Sequence, residues 1–169
     1  MRLWHKDLIT YLPKQQLLAQ WRECCAICSN WANKGTPNHL LVNKVMEYSP
    51  IEFVEYSMMV TEELEKRAYE ISKKSKKNFG DNYNKLTHYY IYNNTKIFKY
   101  WHNERYLKQC LFNLQEKYDC GGIPENEWKM IEEKFGEYLK SNSELEKEVE
   151  KLREFKRTHQ PLYIDSMSC

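Results

Sequence analysis

The stretch between Pro13 and Gly35 constrains the fold of this chain more than any other. Proline suits the first turn of a helix, and glycine suits the position just past its end. Between them, apolar residues recur at steps of four, three, four and three, which is the spacing of one helix face. They are Leu17, Trp21, Cys24, Cys28 and Trp31. The pattern predicts one long core helix that ends before Gly35-Thr36-Pro37.

Helix signals continue after this break. A second, shorter helix is predicted from the apolar residues Leu41, Val42, Val45 and Met46. Ser49-Pro50-Ile51-Glu52 combines a capping box with a first-turn proline, so a third helix should start there and run through Ile71. The lysines that follow suit a helix C-terminus, and they are either solvated there or form a phosphate-contacting patch. They are Lys73, Lys74, Lys76 and Lys77.

The second half of the chain also contains residues that mark helix starts and ends. Residues 79–101 show no clear period and are expected to be partly irregular. A fourth helix is predicted from near Asn103 to Gly121-Gly122, and a fifth opens at Pro124. Its inward residues are Trp128, Ile131, Phe135 and Leu139. A last, highly charged helix from about Ser143 places Leu145, Val149 and Leu152 on a narrow stripe.

No segment has the pattern of a sheet, a repeat or a linker. The sequence therefore predicts an all-α fold: a single compact domain, residues 1–169, of about five or six helices. The N-terminus should pack against the first long helix, and residues 143–169 should form a peripheral charged helix and tail.

Charge and cysteine content bear on the class of partner and on the cellular compartment. The 169 residues carry 26 Lys plus Arg against 24 Asp plus Glu, so bulk charge does not specify a partner. The six cysteines cluster unlike a disulfide framework and are predicted to be reduced thiols. No signal peptide or membrane span is expected, which favours a cytoplasmic protein. Cys25 and Cys28 have the bare spacing of a metal or redox pair, but inside a helix they are expected to be buried thiols.

The opposite face of the first helix is polar. It carries Gln15, Gln16, Ala19, Arg22, Glu23 and Ala26, which fall together at spacings of three and four. The small Ala19 and Ala26 leave room for a molecule to approach Arg22 and Glu23. Taken alone, an adjacent Arg-Glu pair is ordinarily a solvent-exposed ion pair.

Two segments also carry a family resemblance. They are Met1-Arg2-Leu3 and Gln15-Gln16-Leu17-Leu18-Ala19-Gln20-Trp21-Arg22-Glu23. Together they resemble the phage pyrimidine-dimer DNA glycosylases of the endonuclease V type. Residues 1–44 as a whole are similar to a little-characterised bacterial branch of that superfamily, and a weaker likeness covers residues 101–117.

The resemblance implies a chemistry. In the family, the N-terminal α-amine attacks C1′ of the damaged nucleotide, displaces the base and forms a Schiff base, while a helix glutamate assists. Here the matching groups are the amine of Met1 and the carboxylate of Glu23, with Arg22 holding a flanking phosphate. An α-amine suits this task, because its pKa of about 7.7–8.0 leaves far more free base at neutral pH than the pKa of about 10.4 of lysine. Nearby Arg2 and Arg22 would lower the pKa of the amine further.

Some positions depart from the phage pattern. Those enzymes expose a threonine amine after loss of Met, whereas the large Arg2 disfavours that processing, so Met1 itself is the matching nucleophile. Gln16 replaces a histidine and Ala26 replaces an arginine, and both changes bear on lesion preference. The implied partner is double-stranded DNA with a damaged or modified base, bound by a monomer without metal or organic cofactor.

Further residues are candidates for DNA contact. The full set is Arg2, Gln15, Gln16, His39, Asn43, Lys44, His102, Arg105 and Lys117. His39 either faces the DNA or serves as a capping or exposed residue. His102 and Arg105, one turn apart at the start of the fourth helix, could meet the DNA backbone. The aromatic stretch from Tyr89 to Trp101 either stacks on unpaired bases or belongs to the core.

The alternative function is a non-catalytic helical module. Such a module would bind nucleic acid or a protein and would retain the ancestral site as structure. Blocking the amine of Met1 would abolish amine catalysis but leave binding by such a module largely intact.

Overall fold

The structure is a computed structural model that describes residues 2–87 and 96–158. The side chain of residue 87 and most side chains of residues 140–158 are not described. This part of the chain contains five α-helices, two 3-10 helices and no strand, so the all-α prediction is confirmed. The α-helices are α1 (Lys14–Lys34), α2 (Pro50–Lys66), α3 (Lys73–Thr87), α4 (Glu104–Asp119) and α5 (Glu125–Thr158). The 3-10 helices span Lys6–Tyr11 and Asn43–Glu47. The predictions for Met1, for residues 88–95 and for the tail from 159 lie outside the described residues.

Helix α1 forms as its sequence predicts. Pro13 immediately precedes it, and Gly35 ends it at a left-handed φ of 74°, donating its N–H to Trp31 O at 3.0 Å. Glycine is favoured there because a Cβ would strain that conformation. The apolar stripe is buried through Cys28, and the last member, Trp31, is half-buried.

The N-terminal segment, residues 2–12, contributes about half of its side chains to the core. Leu3, Leu8 and Ile9 are fully buried. Both backbone groups of Trp4 are held by buried side chains: its N–H donates to Gln20 Oε1 at 2.9 Å, and its carbonyl accepts from Tyr56 Oη at 2.7 Å. The N-terminal segment therefore packs against α1 and α2, as predicted for its association with the first long helix.

Helix α4 and His102, which lies two residues before it, hold the same segment from another side. The Tyr106 hydroxyl donates to the Leu3 carbonyl, and the Lys6 N–H donates to Nδ1 of His102 at 2.9 Å. Asn103 begins α4 by accepting the N–H of Tyr106 at 3.1 Å, which confirms the predicted start.

The prediction for the third helix is right at its start and wrong at its end. Ser49 Oγ accepts from the Ile51 N–H at 3.2 Å, but Glu52 accepts a hydrogen bond from the Phe98 N–H instead of closing a capping box. Helix α2 then stops at Lys66 and not near residue 77.

Long-range contacts cause this early stop. Arg67 donates to the carbonyls of Leu12 at 2.7 Å and Thr10 at 2.8 Å, and Ala68 turns the chain at a left-handed φ of 56°. A new helix, α3, starts at Lys73 and packs on α1, where Trp21 Nε1 donates to Ser75 Oγ at 3.2 Å. The lysine run therefore lies in the first turns of α3, where the helix dipole does not favour cations.

Two other predicted elements differ in extent. The short second helix is a 3-10 turn, Asn43–Glu47, that leaves Leu41 outside and exposed. The separate last helix is instead a continuation of α5, which bends at Phe135 (φ −121°, ψ 16°) and runs to Thr158. The four inward residues predicted for the start of α5 are buried. The side chains of Leu145, Val149 and Leu152 are not among those described.

No helix in the described ranges has the length and apolarity needed to cross a membrane.

Candidate functional site

A cleft of about 730 Å³ opens where the N-terminal segment, α1 and α4 meet. We call it the first cleft. Its lining residues are Arg2, Trp4, Gln15, Gln16, Leu18, Ala19, Arg22, Glu23, His39, Leu41, Asn113 and Lys117. The polar face of α1 thus forms one wall, as the spacing of its residues predicts.

Glu23 ties this wall to the N-terminal segment. Its Oε2 accepts a hydrogen bond from the backbone N–H of Arg2 at 2.7 Å. Hydrogen bonds to a carboxylate are stronger than neutral ones, so this contact fixes both the carboxylate and the start of the described chain. The carboxylate therefore lies directly beside the peptide bond that joins residue 1 to residue 2.

Arg2 links the N-terminal segment to the other wall. Its Nη2 donates to Asn113 Oδ1 at 3.1 Å, and its guanidinium lies 5.5 Å from the centre of the Trp4 ring. A guanidinium has five N–H donors, so these contacts leave it capacity to bind an anion in the cleft.

The first cleft is cationic. Arg2, Arg22 and Lys117 line it together with Glu23, the sole carboxylate among its described lining residues. Arg22 and Lys117 are exposed at its mouth. This balance favours an anionic ligand such as a nucleic-acid backbone, with one negative charge beside Arg2.

Two buried polar atoms of the first cleft have no hydrogen-bond partner among the described residues. They are Gln16 Oε1 and His39 Nδ1. Buried polar groups are nearly always paired in folded proteins, so unpaired ones at a cleft are suited to a ligand. Both residues were predicted from sequence as DNA contacts.

The structure brings most of the sequence-predicted residues together. Arg2, Gln15, Gln16, Arg22, Glu23, His39 and Lys117 line the first cleft. Lys44 and Arg105 line a neighbouring one. Asn43 instead stabilises the loop before it: its Oδ1 accepts from the His39 N–H at 3.1 Å and from Thr36 Oγ1 at 3.2 Å. Ala26 lies elsewhere on α1, away from both clefts, so of the two small residues only Ala19 makes room at Glu23.

His102 is buried and not at the surface. It is 5% exposed, stacks on His5 with ring centres 5.1 Å apart, and accepts from the Lys6 N–H. Burial lowers the pKa of His102 to about 2, so the ring is neutral at physiological pH. The expectation that this residue meets the DNA backbone is therefore corrected: the structure places it in the core.

Several residues of the first cleft were not expected from the sequence. Trp4, Leu18, Leu41 and Asn113 were not predicted as site residues. One signal was present for Asn113, because it stands four positions before Lys117 on α4 and so shares its face. The others depend on how the N-terminal segment and the loop before residue 43 fold onto α1.

Cys25 and Cys28 do not form a reactive pair. The five cysteines in the described part of the chain are free, and burial raises the pKa of Cys25 to about 11 and of Cys28 to about 12. Both groups are therefore thiols at neutral pH. The residues described include no cluster of three or more His, Cys, Asp or Glu suited to a metal ion.

Fold and cleft together define an all-helical protein whose N-terminal segment and first long helix share a cationic cleft. Residues 1–77 match the model of a family described as pyrimidine dimer DNA glycosylase. The match confirms the resemblance predicted from residues 1–44 and supports DNA as the class of partner. It ends before α4, so Asn113 and Lys117 lie outside it. No significant match was found among curated proteins or among solved structures.

Proposed function

We propose that this protein is a DNA glycosylase with abasic-site lyase activity, acting on damaged or modified bases in duplex DNA, with pyrimidine dimers as the leading substrate. The observation that carries the proposal is the hydrogen bond from the Arg2 N–H to Glu23 inside a cationic cleft. The family match over residues 1–77 supports it. We further propose that the protein acts as a monomer in the cytoplasm, where its thiols stay reduced.

The nucleophile in this proposal is the α-amine of Met1. That nitrogen is separated by only three covalent bonds from the Arg2 nitrogen whose hydrogen Glu23 accepts. A carboxylate held beside the Arg2 nitrogen is suited to act on this nearby amine. The side chain of Met1 has no role in the chemistry.

The reaction proceeds in two stages. The lone pair of the amine forms a bond to C1′, the glycosidic bond breaks, and the base leaves with that electron pair and takes up a proton. The nitrogen then gives up one proton while the C1′–O4′ bond breaks and O4′ takes up a proton, which opens the sugar ring and leaves a protonated Schiff base that keeps one N–H. Glu23 stabilises the cationic sugar in the first stage and the imine in the second.

Strand cleavage follows by β-elimination. A base removes a C2′ proton, a C1′–C2′ enamine forms, and the C3′–O bond breaks to release the phosphate. Glu23 is the candidate base, since it is the carboxylate that lines the described first cleft. Arg2, Arg22 and Lys117 would hold the phosphates on either side of the damaged nucleotide.

Borohydride trapping tests the nucleophile. The protein is incubated with a lesion-bearing or abasic duplex and sodium borohydride, and the adduct is mapped by peptide mass spectrometry. We expect one adduct at residue 1. No adduct with any such duplex, or an adduct at a lysine, would refute the amine mechanism.

Glu23→Gln tests the carboxylate. Glutamine keeps an oxygen that can accept the Arg2 N–H, so the fold should persist, while base excision should fall by about 10²–10⁴-fold. Glu62→Gln, on the exposed surface of α2, is the matched control and should leave activity unchanged. Excision by the Glu23 variant at the wild-type rate would remove this carboxylate from the mechanism.

Acetylation of the Met1 amine distinguishes a glycosylase from a non-catalytic binding module. The acetylated protein should bind lesion DNA but neither excise nor cleave. If unmodified protein also binds without excising, the non-catalytic module is the better description.

A further inference from the structure

A second cleft of about 710 Å³ lies beside the first. The two share Arg2, Leu41 and Asn113. The remaining lining residues of the second cleft are Leu40, Lys44, Tyr100, Trp101, Asn103, Arg105, Tyr106, Lys108, Gln109 and Phe112. The second cleft is therefore built by the loop before residue 43 on one side and by the start of α4 on the other.

The described charged residues that line the second cleft are all cationic. Arg2, Lys44, Arg105 and Lys108 line the second cleft, and no carboxylate is among its described lining residues. Lys108 is paired with Glu104 at 2.9 Å at the cleft's edge, and both of these side chains reach solvent. Two adjacent clefts with cationic linings are complementary to a long polyanion that crosses both.

Leu40 and Leu41 stand on the ridge between the clefts. Their exposures are 87% and 62%, and Leu41 lines both clefts. Adjacent exposed leucines flanked by cations are not explained by folding, since neither is buried in the core. Apolar side chains in such a setting are suited to insertion between bases, whose faces are apolar once unstacked.

Local hydrogen bonds preset the shape of this ridge. The His39 carbonyl accepts from the N–H groups of Val42 and Asn43, each at 2.9 Å. The Asn43 side chain accepts from the His39 N–H, and Asn38 adopts a left-handed φ of 59°. Buried Val42 anchors the loop to the core, so the two leucines are held outward before any ligand binds.

We propose that Leu40 and Leu41 form a wedge that enters the base stack of duplex DNA lying across both clefts. This inference rests on the proposed function, because it takes DNA as the ligand. Phosphates on one side of the wedge meet the cations of the first cleft, and those on the other side meet Lys44, Arg105 and Lys108. The wedge separates neighbouring bases, which kinks the duplex and lets the damaged nucleotide leave the stack toward Glu23.

A binding experiment tests the wedge without chemistry. The probe is a duplex with a tetrahydrofuran abasic analogue, which cannot form a Schiff base, and 2-aminopurine at the adjacent position. Saturating wild-type protein should raise the 2-aminopurine fluorescence, because unstacking relieves its quenching. The double variant Leu40→Ala/Leu41→Ala should still bind by fluorescence anisotropy but lose most of that rise. Met58→Ala, an exposed apolar residue of α2, is the matched control and should behave as wild type.

An activity ratio gives an independent readout. The double variant should lose roughly tenfold or more of its base excision on duplex DNA, because the cost of unstacking is no longer offset. On the same lesion in a single strand, where less stacking must be broken, it should stay within about threefold of wild type. A merely destabilised protein would lose both activities equally.

The outcomes separate the two proposals. If wild type excises the base but the double variant has the same fluorescence rise and the same duplex-to-single-strand ratio, the wedge is wrong and the proposed function stands. If wild type raises the fluorescence through Leu40 and Leu41 but never excises a base, the wedge stands and the proposed function is wrong. If wild type does not bind duplex DNA, the wedge is overturned, and the ridge is better described as a protein-binding surface.

Discussion

Replacing Tyr56 by phenylalanine tests how the core holds the N-terminal segment. Tyr56 is fully buried, and its hydroxyl donates to the Trp4 carbonyl at 2.7 Å. Phenylalanine keeps the ring and removes only the hydroxyl, so no large cavity forms. The variant leaves the Trp4 carbonyl without this donor, which costs about 1–3 kcal/mol for a buried group. A carbonyl tolerates a lost partner better than an N–H does, so we expect about 1–2 kcal/mol.

Thermal and urea unfolding measure this cost. For a chain of this size the melting temperature falls by roughly 2–4 °C per kcal/mol, so Tyr56→Phe should melt roughly 2–8 °C below wild type. The dependence of the unfolding free energy on urea concentration should not change, since the same surface is exposed on unfolding. Tyr100→Phe is the control: Tyr100 is 75% exposed, so its hydroxyl is hydrated in both states.

The pH dependence of the stability difference between wild type and Tyr56→Phe gives a second test of the same hydrogen bond. Burial raises the pKa of Tyr56 well above its usual value, so the hydroxyl remains a donor in the folded protein. A raised folded-state pKa gives stability that is fully present below the unfolded pKa of about 10 and is lost only at higher pH. The difference between wild type and Tyr56→Phe should therefore be constant from about pH 6 to 9. If the Tyr56 and Tyr100 variants melt together, the hydroxyl does not hold the segment and this reasoning is refuted.

Two further variants test other contacts. Burial lowers the pKa of His102 to about 2, whereas the unfolded chain protonates near about 6.5, so stability falls as pH drops below that value. Through His102 alone, the free energy of unfolding of wild type should fall by about 2 kcal/mol between pH 7 and 5. In urea titrations this fall should be smaller for His102→Gln, and an equal fall in both proteins would contradict the buried neutral ring. Lys117→Gln should reduce the slope of log binding constant against log salt for duplex DNA by about 0.9, the release of one counterion. Lys129→Gln, exposed on α5 and outside both clefts, should leave that slope unchanged, and an unchanged slope for Lys117→Gln would exclude a phosphate contact there.

The structure agrees with the sequence prediction where neighbouring residues decide the conformation. The start of α1 just after Pro13, its end just before Gly35 and the cap of α4 by Asn103 all depend on contacts within a few positions. The boundary between α2 and α3 does not. It depends on Arg67, which reaches carbonyls more than fifty positions earlier in the chain, and no helix signal at residues 60–77 records that contact.

The same distinction applies to the first cleft. The polar face from Gln15 to Glu23 lies on one helix, so spacing alone placed those residues together. The opposite wall is set by Arg2 reaching Asn113, a contact that joins residues 111 positions apart. His102 was misplaced for a related reason: a histidine at a helix start is ordinarily exposed, but the His5 ring and the Lys6 N–H draw this one into the core.

Hydrogen bonds join α4 and His102, two residues before it, to the N-terminal segment, and any fragment of the chain that lacks them loses these contacts. Leu3, Lys6 and Arg2 take partners from Tyr106, His102 and Asn113. A fragment cut at residue 77, where the family match ends, would keep Glu23 but lose one wall of the first cleft and three anchors of the segment beside it. During synthesis the first cleft can close only after α4 has emerged from the ribosome, so the chain's earliest residues acquire their final surroundings late.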